Sequence, residues 1–311
     1  MPSINIKNMS QEEWLEQRKQ GIGGSDAGAI LGVNKWKSPL QLYFEKNGMY
    51  EVKQSENEFI YWGHVLEDVV AKEFTMRTGK KVRRVNQMFV HPEHDYMIAN
   101  IDRAVVGENA LLECKTTSEF NKDAWKNDEI PSSYLAQVQH YLAVTGYEKA
   151  YIAVLIGGNK FVWKEIEKDE ELIDYIIEQE QDFWNRYILG DEMPPMDGSD
   201  VTADFLKEQY TDSVDNQIIL DNNAETIIKA LDAIKGEEDD LKERKQKYEN
   251  ELKAKLAENE VGVTDSHKVT WKKQTQSRFD KKAFEQDYPD LAKQYTKEAS
   301  RRVFRTKRIS S

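Results

Sequence analysis

Hydrophobic and polar positions recur with two different periods along the first two-thirds of the chain, and the switches between them predict an order of elements. Gln11–Gln20 reads as a helix, followed by a glycine-dense turn at Gly21, Gly23 and Gly24 and a short helix opening at Ser25. Over Trp62–Thr78 the apolar residues Val65, Leu66, Val69, Val70 and Phe74 fall on one side of a longer helix that Gly79 ends. Strand candidates Val85–His91, Tyr96–Ile101 and Ala110–Thr116 follow, with Gly107, Glu108 and Asn109 as the turn before the last. Pro131 and Ser132 start a helix that runs to Gly146, strands Ala150–Ile156 and Phe161–Ile166 come next, and Glu170–Ile188 reads as a helix.

The segment Gly190–Ser199, with Pro194 and Pro195, marks a boundary. Beyond it Ala224–Glu258 is helical and strongly charged, with Ile227, Leu231, Ile234, Leu241, Tyr248 and Leu252 at spacings near three and four. Gly236 interrupts this run, and Glu238 and Lys245 fall where a continuous seam would want apolar residues, so a helical pair or arm is expected rather than a long coiled coil. Val261–Lys273 and the tail are expected to form a short hairpin and a helix. The expected organisation is an α/β body over residues 1–195, a linker over 196–220 and a charged helical extension with a basic tail over 221–311.

Candidate chemistry centres on Ala110–Thr117. Side chains alternate faces along a strand, so Glu113 and Lys115 point one way while Leu112 and Cys114 point the other. With Asp102 at the end of the preceding run, two carboxylates and an ammonium can form a divalent-metal site with a lysine to steer water. An ordinary hairpin with a surface ion pair satisfies the same spacing, so the motif alone decides nothing. On the helix after Pro131, Tyr134, Gln137 and Tyr141 share one face, opposite Leu135, Val138 and Leu142, which are expected to pack on the sheet. The glycine cluster matches neither common nucleotide-binding loop, but its backbone amides and the Ser25 hydroxyl at a helix start suit an anion, with Arg18 seven residues upstream.

At 311 residues the chain can bury a substantial core. No apolar run is long enough to span a bilayer, and Met1–Ser10 lacks the apolar core of a signal peptide. The single cysteine, Cys114, fits a reducing cytoplasm and excludes a cysteine-ligated zinc ribbon or iron–sulfur cluster. A formal charge of -12 argues against nucleic acid only weakly, because contacts depend on the local field. Lys80, Lys81, Arg83 and Arg84 form one basic cluster, and Arg301, Arg302, Arg305, Lys307 and Arg308 another.

Several ordered motifs carry a resemblance: W-x-x-x-R at Trp14–Arg18, G-G-S-D at Gly23–Asp26, W-G-x-x-x-E at Trp62–Glu67, I-D at Ile101 and Asp102, E-C-K at Glu113–Lys115 and A-Q-V-Q at Ala136–Gln139. Over about Gln11–Pro195 the chain resembles the YqaJ-type viral recombinases, phage alkaline exonucleases of the lambda-exonuclease type within the PD-(D/E)xK nuclease superfamily. The resemblance implies that superfamily's core, a central mixed sheet flanked by helices, here with a C-terminal helical extension. It implies that Asp102, Glu113 and the backbone carbonyl of Cys114 hold one Mg²⁺, that Glu67 contributes to a second, and that Mn²⁺ substitutes. Helical geometry alone leaves Glu73 as a rival to Glu67, and reads Asp68 with Lys72 as a surface pair.

By the same resemblance Lys115 orients or deprotonates the water, Gln137 and Tyr141 belong to the active site, and Arg18 and Ser25 bind a 5′-terminal phosphate. The implied activity is 5′-to-3′ digestion of linear double-stranded DNA to 5′-mononucleotides. It leaves a 3′ overhang for a single-strand annealing protein in phage-type recombination. The implied setting is a homotrimeric ring in the bacterial cytoplasm, encoded by a phage or prophage. An endonuclease cutting internal sites, or a DNA-binding protein without chemistry, are the rival functions. Ile101 stands where the superfamily's motif has proline, and Asn100 replaces a small hydroxyl residue.

Overall fold

The computed structural model describes residues 2–50, 58–190, 192–298 and 300–307. The chain divides into two units, Met1–Tyr210 and Thr211–Ser311.

The first unit is built on two sheets. Strands β1 (Ser3–Asn5), β2 (Ile22–Gly23), β4 (Gln87–Val90) and β5 (Met97–Ala99) form a four-stranded sheet in the order β1-β4-β5-β2. Strands β3 (Val82–Arg84), β6 (Arg103–Val105), β7 (Ala110–Thr117), β8 (Lys149–Ile156) and β9 (Lys160–Glu167) form a mixed sheet of five in the order β3-β6-β7-β8-β9. In it β7 pairs antiparallel with β6 and parallel with β8, in register from Ala110 opposite Lys149 to Thr117 opposite Ile156. The expected mixed sheet flanked by helices is the one observed. The expected pairing of Tyr96–Ile101 with Ala110–Thr116 is not: the chain leaves the first sheet at β5 and enters the second at β6, and it is β6 that turns through Gly107 into β7. Three-residue strands carry too little alternation to be read from the sequence.

Parallel strands need a crossover, and α5 (Ser132–Thr145) supplies it between β7 and β8. It ends at Gly146, whose φ of 62° is the left-handed cap that glycine adopts without strain. The helix is buried nearly all round, with Ala136 through Leu142 all shielded, rather than showing one polar and one sheet-packed face. On one side α2 (Gly24–Ile30) packs against it, and α6 (Glu170–Phe183), which ends in a π turn over Trp184–Ile188, packs on another.

Helix α4 (Glu58–Thr78) covers the other face of the five-stranded sheet through Val70, Ala71 and Phe74, which pack with Leu112, Tyr151 and Ala153. Val65 and Val69, expected on the buried side, are about half exposed and continue an open apolar stripe with Phe59, Trp62 and Met76. The sheet contacts only part of this helix, so its apolar positions exceed its buried ones.

Helix α1 (Gln11–Lys19) starts at a reciprocal cap between Ser10 and Glu13. Helix α3 (Pro39–Lys46) opens on Ser38 and Pro39 and buries Leu40, Leu42 and Phe44. Helix α7 (Asp200–Gln209) lies within the stretch expected as a linker, yet belongs to the first unit. Its Phe205 is 3% exposed, with its ring 5.2 Å from those of both Phe44 and Tyr50. The boundary therefore falls after Tyr210.

The second unit contains α8 (Asn222–Leu256), the hairpin β10 (Val261–Val263) with β11 (Lys268–Thr270), and two short helices, α9 (Lys281–Asp287) and α10 (Pro289–Tyr295). Helix α8 is one continuous element of 35 residues, so the arm is realised and the helical pair is not. A glycine costs a helix interior about 1 kcal/mol, too little to break a run of strong helix formers at Gly236. Among the described residues no helix is long and apolar enough to cross a membrane.

Truncation of a buried aromatic typically costs about 3–5 kcal/mol. Phe205→Ala should therefore destabilise the first unit by about 3 kcal/mol in urea unfolding; an unchanged midpoint would return α7 to the linker.

Candidate active site

Strand β7 delivers Glu113 and Lys115 to the face that α5 covers. The Lys115 ammonium lies 2.7 Å from Glu113 Oε1 and donates to Gln137 Oε1 at 2.9 Å. Gln137 Nε2 donates in turn to Glu113 Oε1 at 2.8 Å and to the Tyr141 hydroxyl at 2.9 Å. The Tyr134 ring sits 4.9 Å below the same ammonium. The expected helix face of Tyr134, Gln137 and Tyr141 is thus the one that meets the strand.

Asp102 lies where the chain passes between the two sheets, and its Oδ2 accepts from the Cys114 amide at 2.7 Å. Burial, with Glu113 and Glu67 close by, pushes its carboxyl well above the usual carboxylate range. Burial alone would lower the Lys115 pKa, but Glu113 and Asp102 outweigh it and hold the group above its ordinary value. That direction favours the ammonium form, which donates to Glu113 and Gln137. Burial and the two carboxylates also raise the Tyr141 hydroxyl and the Cys114 thiol, keeping both protonated.

Glu67 comes in from α4 and is held by Arg103, which also donates to the Asp102 carbonyl at 2.6 Å and to Asp68 Oδ1 at 2.6 Å. Arg84 binds the other oxygen of Asp68 at 2.8 Å. Asp68 is thus tied to two arginines across the sheet, not to Lys72. Glu73 pairs with Arg77 on the same helix at 2.6 Å, away from the cleft that Glu67 shares with Asp102 and Glu113. Arg103, only 4% exposed, is the main residue that sequence reasoning missed, because a buried cation is recognised only by its tertiary partners.

The same cleft, about 390 Å³, reaches Trp14, Arg18, Gly23, Gly24 and Ser25. Arg18 Nη2 donates to Ser25 Oγ at 2.9 Å, and its guanidinium lies 5.0 Å from the Trp14 ring. Asp26, quoted in the G-G-S-D motif but given no role there, anchors this corner: its Oδ2 accepts from the Gly23 amide at 3.1 Å and meets Lys46 at 2.8 Å, with Lys37 and Arg18 within 4 Å. Burial would raise the Asp26 pKa, but Lys46, Lys37 and Arg18 outweigh it and hold the carboxyl well below the usual carboxylate range. Behind α5 a second buried pair joins His140 Nδ1 to Glu180 at 2.8 Å, while His140 Nε2 donates to the Ile98 carbonyl.

Among the described residues no group of three or more His, Cys, Asp or Glu side chains is already arranged to hold a metal ion. The reason is visible in the contacts: Glu67 is held by Arg103, Asp102 by a backbone amide, and one oxygen of Glu113 by Lys115 and Gln137. The other oxygen, Glu113 Oε2, is buried without a hydrogen-bond partner. An orphaned carboxylate oxygen beside a carboxyl of raised pKa is an all-oxygen donor set that suits a hard divalent cation.

A carboxylate at a sheet crossing, a Glu-x-Lys strand beside it and a glutamine helix above fit the class of PD-(D/E)xK-like nucleases. The chain belongs to the family of YqaJ-like viral recombinase domains within that superfamily, whose family model matches residues 13–148. A Bacillus subtilis (strain 168) relative, "Uncharacterized protein YqaJ", is 46% identical over 306 residues, 97% of this chain and 96% of the relative. Among solved structures, the alkaline exonuclease LHK-Exo from Laribacter hongkongensis in complex with dAMP is 20% identical, with a TM-score of 0.48, over 65% of this chain and 98% of that one. A phage-related exonuclease from Haemophilus somnus 129PT is 15% identical, with a TM-score of 0.43, over 54% and 93%. Membership of the family supports a general nuclease or recombinase activity on DNA.

A carboxyl whose folded pKa is depressed adds stability above its unfolded value, about 3.9 for aspartate, and loses it as pH falls toward the folded value. The stability gap between the wild type and Asp26→Asn should therefore stay constant from about pH 7 to 5 and narrow below about pH 4. A gap independent of pH would mean that Asp26 is not ionised in the fold.

Proposed function

We propose that the protein is a Mg²⁺-dependent 5′-to-3′ exonuclease acting on linear double-stranded DNA. The observation that carries this reading is the buried network of Glu113, Lys115, Gln137 and Tyr141 beside Asp102, with Glu113 Oε2 left unpartnered in the cleft. Asp102, Glu113 and the Cys114 carbonyl would hold one Mg²⁺, with Glu67 contributing to a second and Mn²⁺ substituting. A bound divalent ion supplies charge stabilisation at the phosphate and a more acidic water.

The chain's own groups do the rest. Lys115, held as an ammonium, donates to the attacking water or to a phosphate oxygen and offsets charge that builds up there. Gln137 fixes Lys115 and Glu113 relative to each other, and Tyr141 fixes Gln137. Water adds to phosphorus and the bond to the 3′ oxygen breaks, so the released nucleotide keeps its 5′ phosphate and carries a 3′ hydroxyl. The shortened strand again begins with a 5′ phosphate. Arg18 and Ser25, at the amide-rich start of α2, suit that doubly charged end group. Each turnover thus creates the end that the next one needs. The 3′ overhang would serve a single-strand annealing protein in the cytoplasm of a phage-infected or prophage-bearing host, and a trimeric ring is the assembly the family resemblance suggests.

A linear duplex labelled at its 5′ or its 3′ end, beside a covalently closed circle, tests the reading. Early release of the 5′ label alone, an intact circle and a loss of at least about 100-fold in Lys115→Ala are expected. Cutting of the circle would make the protein an endonuclease, and inertness toward every substrate would favour a binding role. Arg18→Ala should erase any preference for phosphorylated over hydroxyl 5′ ends.

Ligand binding to the native state raises stability by about 2.7 kcal/mol at a hundred times Kd, or about 5 °C in Tm for a domain of this size. Mg²⁺ should produce such a shift in the wild type and none in the Asp102→Ala, Glu113→Ala double variant. An equal shift in both would place the ion elsewhere.

A further inference from the structure

Charge is divided unevenly along the chain. Residues 261–311 hold 13 lysines and arginines against 6 aspartates and glutamates, a formal charge of +7 in a chain whose total is -12, so residues 1–260 carry -19. The cations gather in β10, β11, α9, α10 and the stretches that join and follow them. Like charges held in one segment repel, so the gathering calls for a counter-charge.

In the first unit the basic cluster is tied down, with Lys80 on Glu108 and Arg84 on Asp68. In the second, Lys273, Lys293, Lys297, Arg301, Arg305 and Lys307 are exposed and have no acidic partner among the described residues. The pairs of Lys272 with Glu260 at 4.0 Å and of Lys281 with Glu285 at 3.5 Å are long and lie in water. Aromatic rings stand between the cations. Trp271, Phe279, Tyr288, Tyr295 and Phe304 follow one another at seven to nine residues, and each interval holds at least one lysine or arginine. These rings are 51–83% exposed, and no described residue from 271 to 307 is buried. Phe284 joins Phe279 and Tyr288, with ring centres 5.0 and 5.6 Å apart, but no core forms around them.

Unpaired cations suit phosphates, and open rings suit the faces of unpaired bases. We propose that residues 271–307 bind a single strand of DNA, with its phosphates on the lysines and arginines and its bases stacked on the rings. A duplex matches less well, because paired bases keep their faces inside their own stack and offer the rings nothing. An acidic peptide would take the cations and leave the rings in water. Neither kind of contact reads the 2′ hydroxyl, so the choice of DNA over RNA rests on the family's activity on DNA. None of these residues lines the cleft, so this binding and the nuclease reading stand or fall separately.

Titration of the full-length chain against a fluorescent oligothymidylate of thirty nucleotides, in EDTA and at several salt concentrations, tests it. The triple variant Arg301→Gln, Arg305→Gln, Lys307→Gln should lower the slope of log affinity against log salt by about 2, at about 0.7 for each phosphate contact. The double variant Trp271→Ala, Phe304→Ala should bind at least about tenfold more weakly with the slope unchanged. A strand carrying 5-iodouracil should crosslink to peptides within residues 271–307. Variants of the cations that bind as the wild type does, or crosslinks confined to residues 1–210, would overturn the proposal. An unaffected ring variant would reduce the segment to a phosphate clamp and overturn the choice of a single strand. Tighter binding of an oligouridylate of the same length would move the occupant to RNA, and equally tight binding of poly-glutamate would make it an acidic protein.

Discussion

The parallel alignment of β7 with β8 is the constraint on which the site depends. Two adjacent parallel strands cannot be joined by a tight turn, so the chain must leave the sheet, cross it and return. Here α5 makes that crossing, and because β7 and β8 pair over their full eight-residue length the crossing is long enough to lie over the strand carrying Glu113 and Lys115. Gln137 then bonds both of those side chains at once. The same burial removes Glu113, Lys115 and Tyr141 from bulk water, which gives their mutual contacts their strength.

Among the described residues of the first unit, several buried charges are matched locally. Asp26 faces Lys46, Lys37 and Arg18; Arg103 faces Glu67 and Asp68; Lys115 faces Glu113; His140 faces Glu180. Ion pairs of this kind add little net stability relative to apolar packing, but removing one partner strands a charge in the interior. They therefore hold geometry. The amide-rich corner at Gly23 and the carboxylates near Asp102 keep their spacing because charges on α2, α3, α4 and β6 fix it.

What the sequence disclosed and what it hid follow from the range of the forces involved. The common face of Glu113 and Lys115, and that of Tyr134, Gln137 and Tyr141, depend only on local periodicity, and both were legible. The choice of Glu67 over Glu73 was not decided by the helix pattern, since the two differ chiefly in whether they face Arg103 or Arg77. Arg103 and His140 drew no attention as single polar residues, because their roles exist only through partners far along the chain, and Asp26 was quoted in a motif without a role. Strand β6 was too short to show alternation, and Val65 and Val69 were misplaced because apolar periodicity reports a helix face without saying how much of it is covered. In the second unit the seam of α8 was visible, but its reading as a broken pattern changed once the helix proved continuous. Arg308, counted in the basic tail, lies outside the described residues, while Lys80 and Arg84 are drawn into ion pairs with Glu108 and Asp68.

Gly24 links the two halves of the cleft sterically. A β-carbon at this position would come within 2.4 Å of the Tyr141 ring, the residue that supports Gln137. The start of α2 can approach α5 this closely only because nothing projects from residue 24. Any lineage that placed a larger residue there would have to shrink or move residue 141 in the same step, so the two positions can change only together. The end-group corner and the carboxylate network are thus bound to a shared history of substitution, although they lie on helices more than a hundred residues apart in the chain.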